Sequence, residues 1–180
     1  MNPDANFDLP AGVPGEPLSL ADAAQWLYAE AHYLDLQRWD DWLALYAPDA
    51  WFWMPAWVGE HEAGGSPERD LSLVYCAARA GLEDRVWRVR SGLSVACEVL
   101  PRTAHAISNI VRLSGADADR VDLFSSWRCD HFDLKRQQSH AFFGRYEHRL
   151  RRGPDGWRIA GKKITLLNDR IPTMLDFYGV

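Results

Sequence analysis

The side chains of this sequence with chemistry to offer are its six histidines, its three cysteines and a few clusters of acidic residues. His105 and Asn109 fall on the same face of a segment that reads as a strand, and Asp40, Asp41 and Tyr46 gather at a helix end. A histidine and a carboxylate pointing into one hollow can move protons on a small carbonyl compound, which is dehydratase or isomerase chemistry. The same residue types also serve as helix caps, surface charges and satisfied core groups. Metal chemistry has less to build on. A Rieske cluster requires two cysteines and two histidines, and the sequence lacks the paired C-x-H and C-x-x-H spacings: it has one C-x-H, Cys129-Asp130-His131, and no C-x-x-H. A mononuclear iron site requires two histidines and a carboxylate, and His32, His61, His105, His131, His140 and His148 include no compact ligand spacing. Glu60-His61-Glu62 looks ligand-like, but three adjacent residues on a glycine-flanked loop read as a solvated turn. No glycine-rich phosphate loop and no G-x-S-x-G elbow is present. Cys76, Cys97 and Cys129 form neither a C-x-x-C pair nor a disulfide framework, so they read as reduced, buried thiols of a cytoplasmic protein.

The elements that would position these groups come as helices first and strands later. Ser19 stands where a helix N-cap belongs, with Asp22 three residues on. Ala24, Leu27, Ala31 and Leu34 then recur at helical spacing, and the pattern breaks at Asp35 to Arg38. A short helix is expected over Trp39 to Tyr46, ended by Ala47-Pro48-Asp49. Trp51-Phe52-Trp53-Met54 reads as a strand, and Pro55 places it at an edge or bulge. After a polar loop over Gly59 to Pro67, a third helix is expected from about Ala77 to Arg90, with Leu82, Val86 and Val89 inward and Gly92 closing it. His105 to Leu113 supplies a strand. Val121, Leu123, Ser125, Trp127 and Cys129, and then Phe142, Gly144, Tyr146, His148 and Leu150, alternate with more polar neighbours. That period of two belongs to a sheet with one buried face. Gly153-Pro154-Asp155-Gly156 is a hairpin turn, and the apolar phase of Trp157 to Leu167 changes near Gly161, which indicates a bulge. Without βαβ alternation the class is α+β. Residues 1–18 read as a tail and 19–180 as a single domain.

Composition narrows the partners. The 180 residues are 47% hydrophobic and 25% charged, with a net charge of −5. A chain with no cationic excess is poorly suited to displace counterions from nucleic acid. No stretch reaches the ~20 apolar residues of a membrane span, and the tail lacks the basic and apolar regions of a signal peptide. A soluble protein is expected. Lys135, Lys162 and Lys163 are its lysines, and the rest of its 20 basic residues are arginines. With nine tryptophans, this surplus suits a large aromatic core or an extensive interface.

In order along the chain, the segments resemble the small, or beta, subunits of aromatic-ring-hydroxylating dioxygenases. The resemblance rests on Tyr28-Ala29-Glu30-Ala31 with Leu34-Asp35, then Trp39-Asp40-Asp41-Trp42-Leu43-Ala44-Leu45, then Phe52-Trp53-Met54-Pro55. It continues through Arg85-Val86-Trp87-Arg88 with Ser91-Gly92, and through Arg102-Thr103-Ala104-His105-Ala106-Ile107-Ser108-Asn109-Ile110. Gly144-Arg145, Leu150-Arg151-Arg152 and Asp155 to Ala160 complete it, so it spans about residues 20–170. Ala104, Tyr75-Cys76-Ala77 and Val99-Leu100-Pro101 depart from the family pattern.

The resemblance implies a fold like that of nuclear transport factor 2 and scytalone dehydratase: a cone-shaped α+β domain whose strongly curved antiparallel sheet wraps around about three N-terminal helices. It implies a homotrimer that supports large subunits in an α3β3 assembly, with no catalytic, cofactor or metal residue in this chain. The large subunit would carry the Rieske two-iron, two-sulfur cluster and the mononuclear iron, fed with electrons from NAD(P)H, and would add dioxygen to an aromatic ring. Arg102 and His105, in the family-like strand, are the candidate interface residues. The alternatives are a free-standing dehydratase or isomerase of the same fold with His105 or an aspartate as base, and a pocket-bearing binding protein.

Overall fold

The computed structural model describes residues 6–92, 99–115 and 117–180; Cys97 lies outside them. Helix α1 spans Leu20–Asp35, α2 Trp39–Ala44 and α3 Arg79–Ser91. The strands are β1 (Tyr46–Pro55), β2 (Ser72–Cys76), β3 (Arg102–Arg112), β4 (Arg120–Asp133), β5 (Gln138–Gly153) and β6 (Gly156–Leu166), and the chain ends on a 3-10 turn at Phe177–Gly179.

Helix α1 starts as its sequence dictates: Asp22 N–H donates to Ser19 Oγ at 3.0 Å, which satisfies one of the backbone donors a helix start leaves open. It ends where Gln37 takes φ 55, a left-handed value that stops helix propagation. Its inward face, including Leu27, Ala31 and Leu34, is buried. Helix α2 is shorter than expected. Tyr46 leaves it and opens β1, so this strand begins ahead of Pro48 instead of at Trp51. Helix α3 ends at Gly92 with φ 62, a conformation glycine adopts without steric cost. Strand β2 carries no polar alternation in Leu73, Val74, Tyr75 and Cys76, and the period-two signal missed it for that reason.

The sheet corrects the expected architecture. The α+β class stands, but the six strands lie in the order β2-β1-β6-β5-β4-β3, as an open, mixed sheet with β2 and β3 at its edges. It is neither wholly antiparallel nor strongly curved around the helices: β1 runs parallel to β6, pairing Tyr46 with Ile159 and Trp53 with Lys163. Hairpin chemistry dictates antiparallel neighbours only for strands joined by a short turn, here β4, β5 and β6. The pairing of β1 with β6 joins segments about a hundred residues apart, and no local pattern encodes its direction. With only Leu45 between α2 and β1, the helix sets where that strand starts, and Ile159 N–H donates to Leu45 O at 2.8 Å.

The alternating faces of β4 and β5 are buried as their period requires, from Val121 to His131 and from Phe142 to Leu150. The register of β5 on β6 shifts between Arg149 and Leu150, which makes Ala160 the extra residue of the expected bulge. Beside it, an added Cβ on Gly161 would lie 2.2 Å from the Trp51 ring, so glycine is what lets β1 and β6 approach there. The tryptophan surplus goes mainly inward: Trp26, Trp39, Trp42, Trp53, Trp127 and Trp157 are buried, whereas Trp87 is 62% exposed. Among the described residues no helix is long and apolar enough to cross a membrane.

Candidate functional site

The polar chemistry of the molecule is concentrated inside the core, beneath α1. Glu30, on the buried face of that helix, meets Tyr46 of β1, His148 of β5 and Lys162 of β6. The Tyr46 hydroxyl donates to Glu30 Oε1. Lys162 Nζ donates to the same oxygen at 3.0 Å, and His148 Nε2 lies 3.0 Å from Oε2. The ammonium also stands 4.0 Å from the centroid of the Tyr146 ring and 5.8 Å from that of Phe52. All four polar side chains are buried.

Burial opposes the charge of Glu30, yet the Lys162 ammonium, with His148 and Tyr46, outweighs it and holds the carboxyl well below the usual carboxylate range. Burial raises the Tyr46 hydroxyl, and the Glu30 charge raises it further. Burial lowers His148 despite the attraction of Glu30. The consistent state is an ionised Glu30 with Lys162 as counter-ion and a neutral His148 whose Nε2–H donates to the carboxylate. His148 Nδ1 then remains buried without a partner.

One and a half turns along the same helix, Asp35 makes a second link. Its Oδ1 lies 2.6 Å from His105 Nδ1, and its Oδ2 accepts the backbone N–H of His105 at 2.9 Å. Burial works against the Asp35 charge, but His105, through side chain and backbone, lowers its pKa. His105 Nε2 is buried without a partner. Cys129, opposite His105 in the β3–β4 ladder, has its thiol pushed up to about 12 by burial and by Asp35. At neutral pH that sulfur is protonated, so a cysteine beside a histidine and an aspartate does not make a nucleophile here. The two carboxylates instead pin α1 to the sheet, Glu30 to β1, β5 and β6, and Asp35 to β3.

The structure disperses the other expected site residues. Arg102 is exposed at the start of the edge strand β3. Asn109 does not share the face of His105: the β3–β4 register slips between Ser108 and Val111, Asn109 takes φ 53, and its Nδ2 donates to Ser126 Oγ at 3.3 Å in an exposed position. Asp40 and Asp41 lie at the surface, paired with Arg90 at 2.7 Å and Arg38 at 2.8 Å, while Tyr46 is in the core. Glu60, His61 and Glu62 are exposed. Glu30, His148 and Lys162 were not picked out as a group by sequence reasoning. Their signal was present, since each is a polar residue on an otherwise apolar face, and such a residue needs a buried partner.

The described residues do not fit a metal centre. Among the described residues no three His, Cys, Asp or Glu side chains come together to hold an ion, and Cys76 and Cys129 are free, buried thiols. Glu30, Tyr46, His148 and Lys162 bond to one another, and none of them lines the surface cavities at Val99–Tyr178, Phe7–His32 or Arg102–Ser139.

A protein-family model described as "Ring hydroxylating beta subunit" matches residues 29–173. The benzoate 1,2-dioxygenase subunit beta of Acinetobacter baylyi is 36% identical over 165 residues, covering 92% of this chain and 96% of that protein. The toluate 1,2-dioxygenase subunit beta of Pseudomonas putida is 37% identical over 163 residues, covering 91% and 99%. Among solved structures, the beta subunit of the benzoate 1,2-dioxygenase of Burkholderia mallei superposes with a TM-score of 0.75 at 33% identity, covering 92% of this chain and 99% of that one.

Proposed function

Because the chain belongs to the family of ring-hydroxylating beta subunits, we propose that it works in a terminal oxygenase whose substrate is an aromatic carboxylate. Its place as a non-catalytic beta subunit of a ring-hydroxylating dioxygenase, and so as part of a multicomponent oxidoreductase, follows from that membership. The substrate class is taken from the relatives, which are named for benzoate and toluate. In this reading a homotrimer carries large subunits as α3β3, and those subunits hold the Rieske cluster and the mononuclear iron. The free, buried thiols of Cys76 and Cys129 suit a cytoplasmic, reducing setting.

The observation that carries the supporting role is the closure of the acid/base groups on one another. Glu30 spends both carboxylate oxygens on Tyr46, His148 and Lys162, and Asp35 spends both of its own on His105. A general base needs reach to a substrate proton, whereas these carboxylates hold a helix to a sheet.

Co-expression with the large subunit tests the reading. The two chains should co-purify, with a mass from light scattering that fits equal numbers of each, and the complex should carry iron and labile sulfide and oxidise benzoate or toluate when reduced. The chain purified alone should hold no stoichiometric iron. A chain that stays monomeric beside its large subunit, or that turns over substrate alone, would refute the proposal.

A further inference from the structure

One face of the sheet carries no helix. Glu30 of α1 reaches Lys162, and the Trp42 ring of α2 lies 6.5 Å from that of Phe52. An added Cβ on Gly81 of α3 would lie 2.8 Å from Cys76 Cβ, so all three helices pack on the inner face. The strand residues that alternate with these point the other way. One cross-strand row of them runs the whole width of the sheet, from Tyr75 through Trp53, Lys163, Glu147 and Phe124 to Val111. Tyr75 and Val111, at its ends, are exposed, and so is Phe143 on the same face of β5.

On this face Arg149 pairs with Asp122 at 3.0 Å, Arg128 with Asp130 at 2.6 Å and Lys163 with Glu147 at 3.8 Å. Arg145 is different. It stands on β5 between Ser126 of β4 and Thr165 of β6, exposed, and among the described residues no carboxylate pairs with it. An arginine among exposed aromatic side chains has the composition of an interface hot spot, and its charge calls for an anion. Anions in excess lie in the loop between β1 and β2, where Glu60, Glu62, Glu68 and Asp70 are set against Arg69. Asp70 accepts the backbone N–H groups of Gly65 and Ser66 at 2.6 and 2.9 Å, and Ser66 Oγ donates to Glu68 at 2.6 Å. Glu60 and Glu62 are exposed, and among the described residues no cation pairs with either. Their turn is held firmly, since the N–H groups of Val58 and Gly59 donate to Glu62 O at 2.9 and 3.3 Å. Val58 before it and Leu71 at the end of the loop are exposed apolar shoulders.

We propose that the uncovered sheet face docks a second copy of this chain, with Glu60 and Glu62 of one copy against Arg145 of the next. The contact rests on the homotrimer reading above and names the surfaces that make it. Charge complementarity selects this pairing. Stacking two sheet faces would set one unanswered arginine against another, and like charges brought together at an interface are costly. Contact between unlike patches, loop to sheet, repeats head to tail and closes as a ring.

Sedimentation equilibrium on the full chain, and on the complex co-expressed with the large subunit, tests this. Arg145→Glu should weaken self-association more than ~10-fold, and Glu60→Arg combined with Glu62→Arg should do the same. A chain carrying all three changes again has opposite charges at every contact, and should return to within about threefold of the wild type. The three positions are exposed, so far-ultraviolet circular dichroism should stay that of the wild type. Undiminished association of Arg145→Glu, or a triple variant no better than its parents, overturns this contact and leaves the homotrimer standing. Arg145→Glu copies that still associate but lose the large subunit would assign the face to that subunit and overturn it as well. A wild-type chain that is monomeric both alone and in the complex refutes the homotrimer and this contact together.

Discussion

Replacing Glu30 by glutamine removes one charge from the core while keeping its size. The wild-type carboxylate accepts from Lys162 Nζ at 3.0 Å and lies 3.0 Å from His148 Nε2, all with side chains at most 2% exposed. In the variant the Lys162 ammonium would face only an amide oxygen and the rings of Tyr146 and Phe52. Breaking a buried ion pair by removing one partner costs about 3–5 kcal/mol, because the other charge remains uncompensated. Against a total stability of roughly 5–15 kcal/mol, that is a large share. Lys162→Met should cost a similar amount by orphaning Glu30. The double variant should cost less than the sum of the two, since apolar or neutral groups of similar volume often replace a buried pair at little net cost. Urea unfolding followed by tryptophan fluorescence and circular dichroism gives the three free energies, and the cycle should show a coupling of about 2 kcal/mol or more. A loss below about 1 kcal/mol for Glu30→Gln, or additive single variants, would show that water or relaxation already compensates Lys162, and the reasoning would fail.

Acid should destabilise the chain in two stages. His131 and His148 have lowered pKa values in the folded state, so stability is present above their ordinary value of 6.5 and is lost as pH falls below it. Glu30 and Asp35 are also lowered, so their contribution is present above 4.5 and 3.8 and declines as pH falls through that range; urea midpoints from pH 8 to 3 should show both stages, and a flat profile would contradict them. His105→Ala should cost about 1–3 kcal/mol by unpinning α1 from β3, whereas Arg102→Ala, at an exposed site, should change stability by less than ~0.5 kcal/mol and lower affinity for the large subunit if it lies in the interface; denaturation and pull-down assays separate the two effects. Cys129 should resist iodoacetamide in the native state at pH 8 and react on unfolding, and mass spectrometry showing rapid native labelling would refute the assigned burial.

The strands of the second half were legible because a half-buried strand writes its exposure pattern into its own neighbours. Val121 to Cys129 and Phe142 to Leu150 alternate, and the phase change near Gly161 is the bulge at Ala160. Strand β2 was hidden by its uninterrupted apolar character, and the end of α2 was misplaced because Tyr46 suits a helix face as well as a strand. Asn109 departs from the face that strand alternation gives it because a register slip reverses which side chains point inward.

Local pattern therefore determined the α+β class, the faces of β4 and β5, and the caps of α1 and α3. The family followed from motifs kept in order along nearly the whole domain. Tertiary structure alone decided that β1 would lie parallel to β6 in an open sheet, and that Glu30 would meet His148 and Lys162. A helix or strand signal is carried by residues within a few positions of one another, and it survives in a linear reading. An acidic residue on an apolar helix face announces only that burial must be compensated. Which charge compensates it depends on strands more than a hundred residues away, brought together by the packing of the whole core.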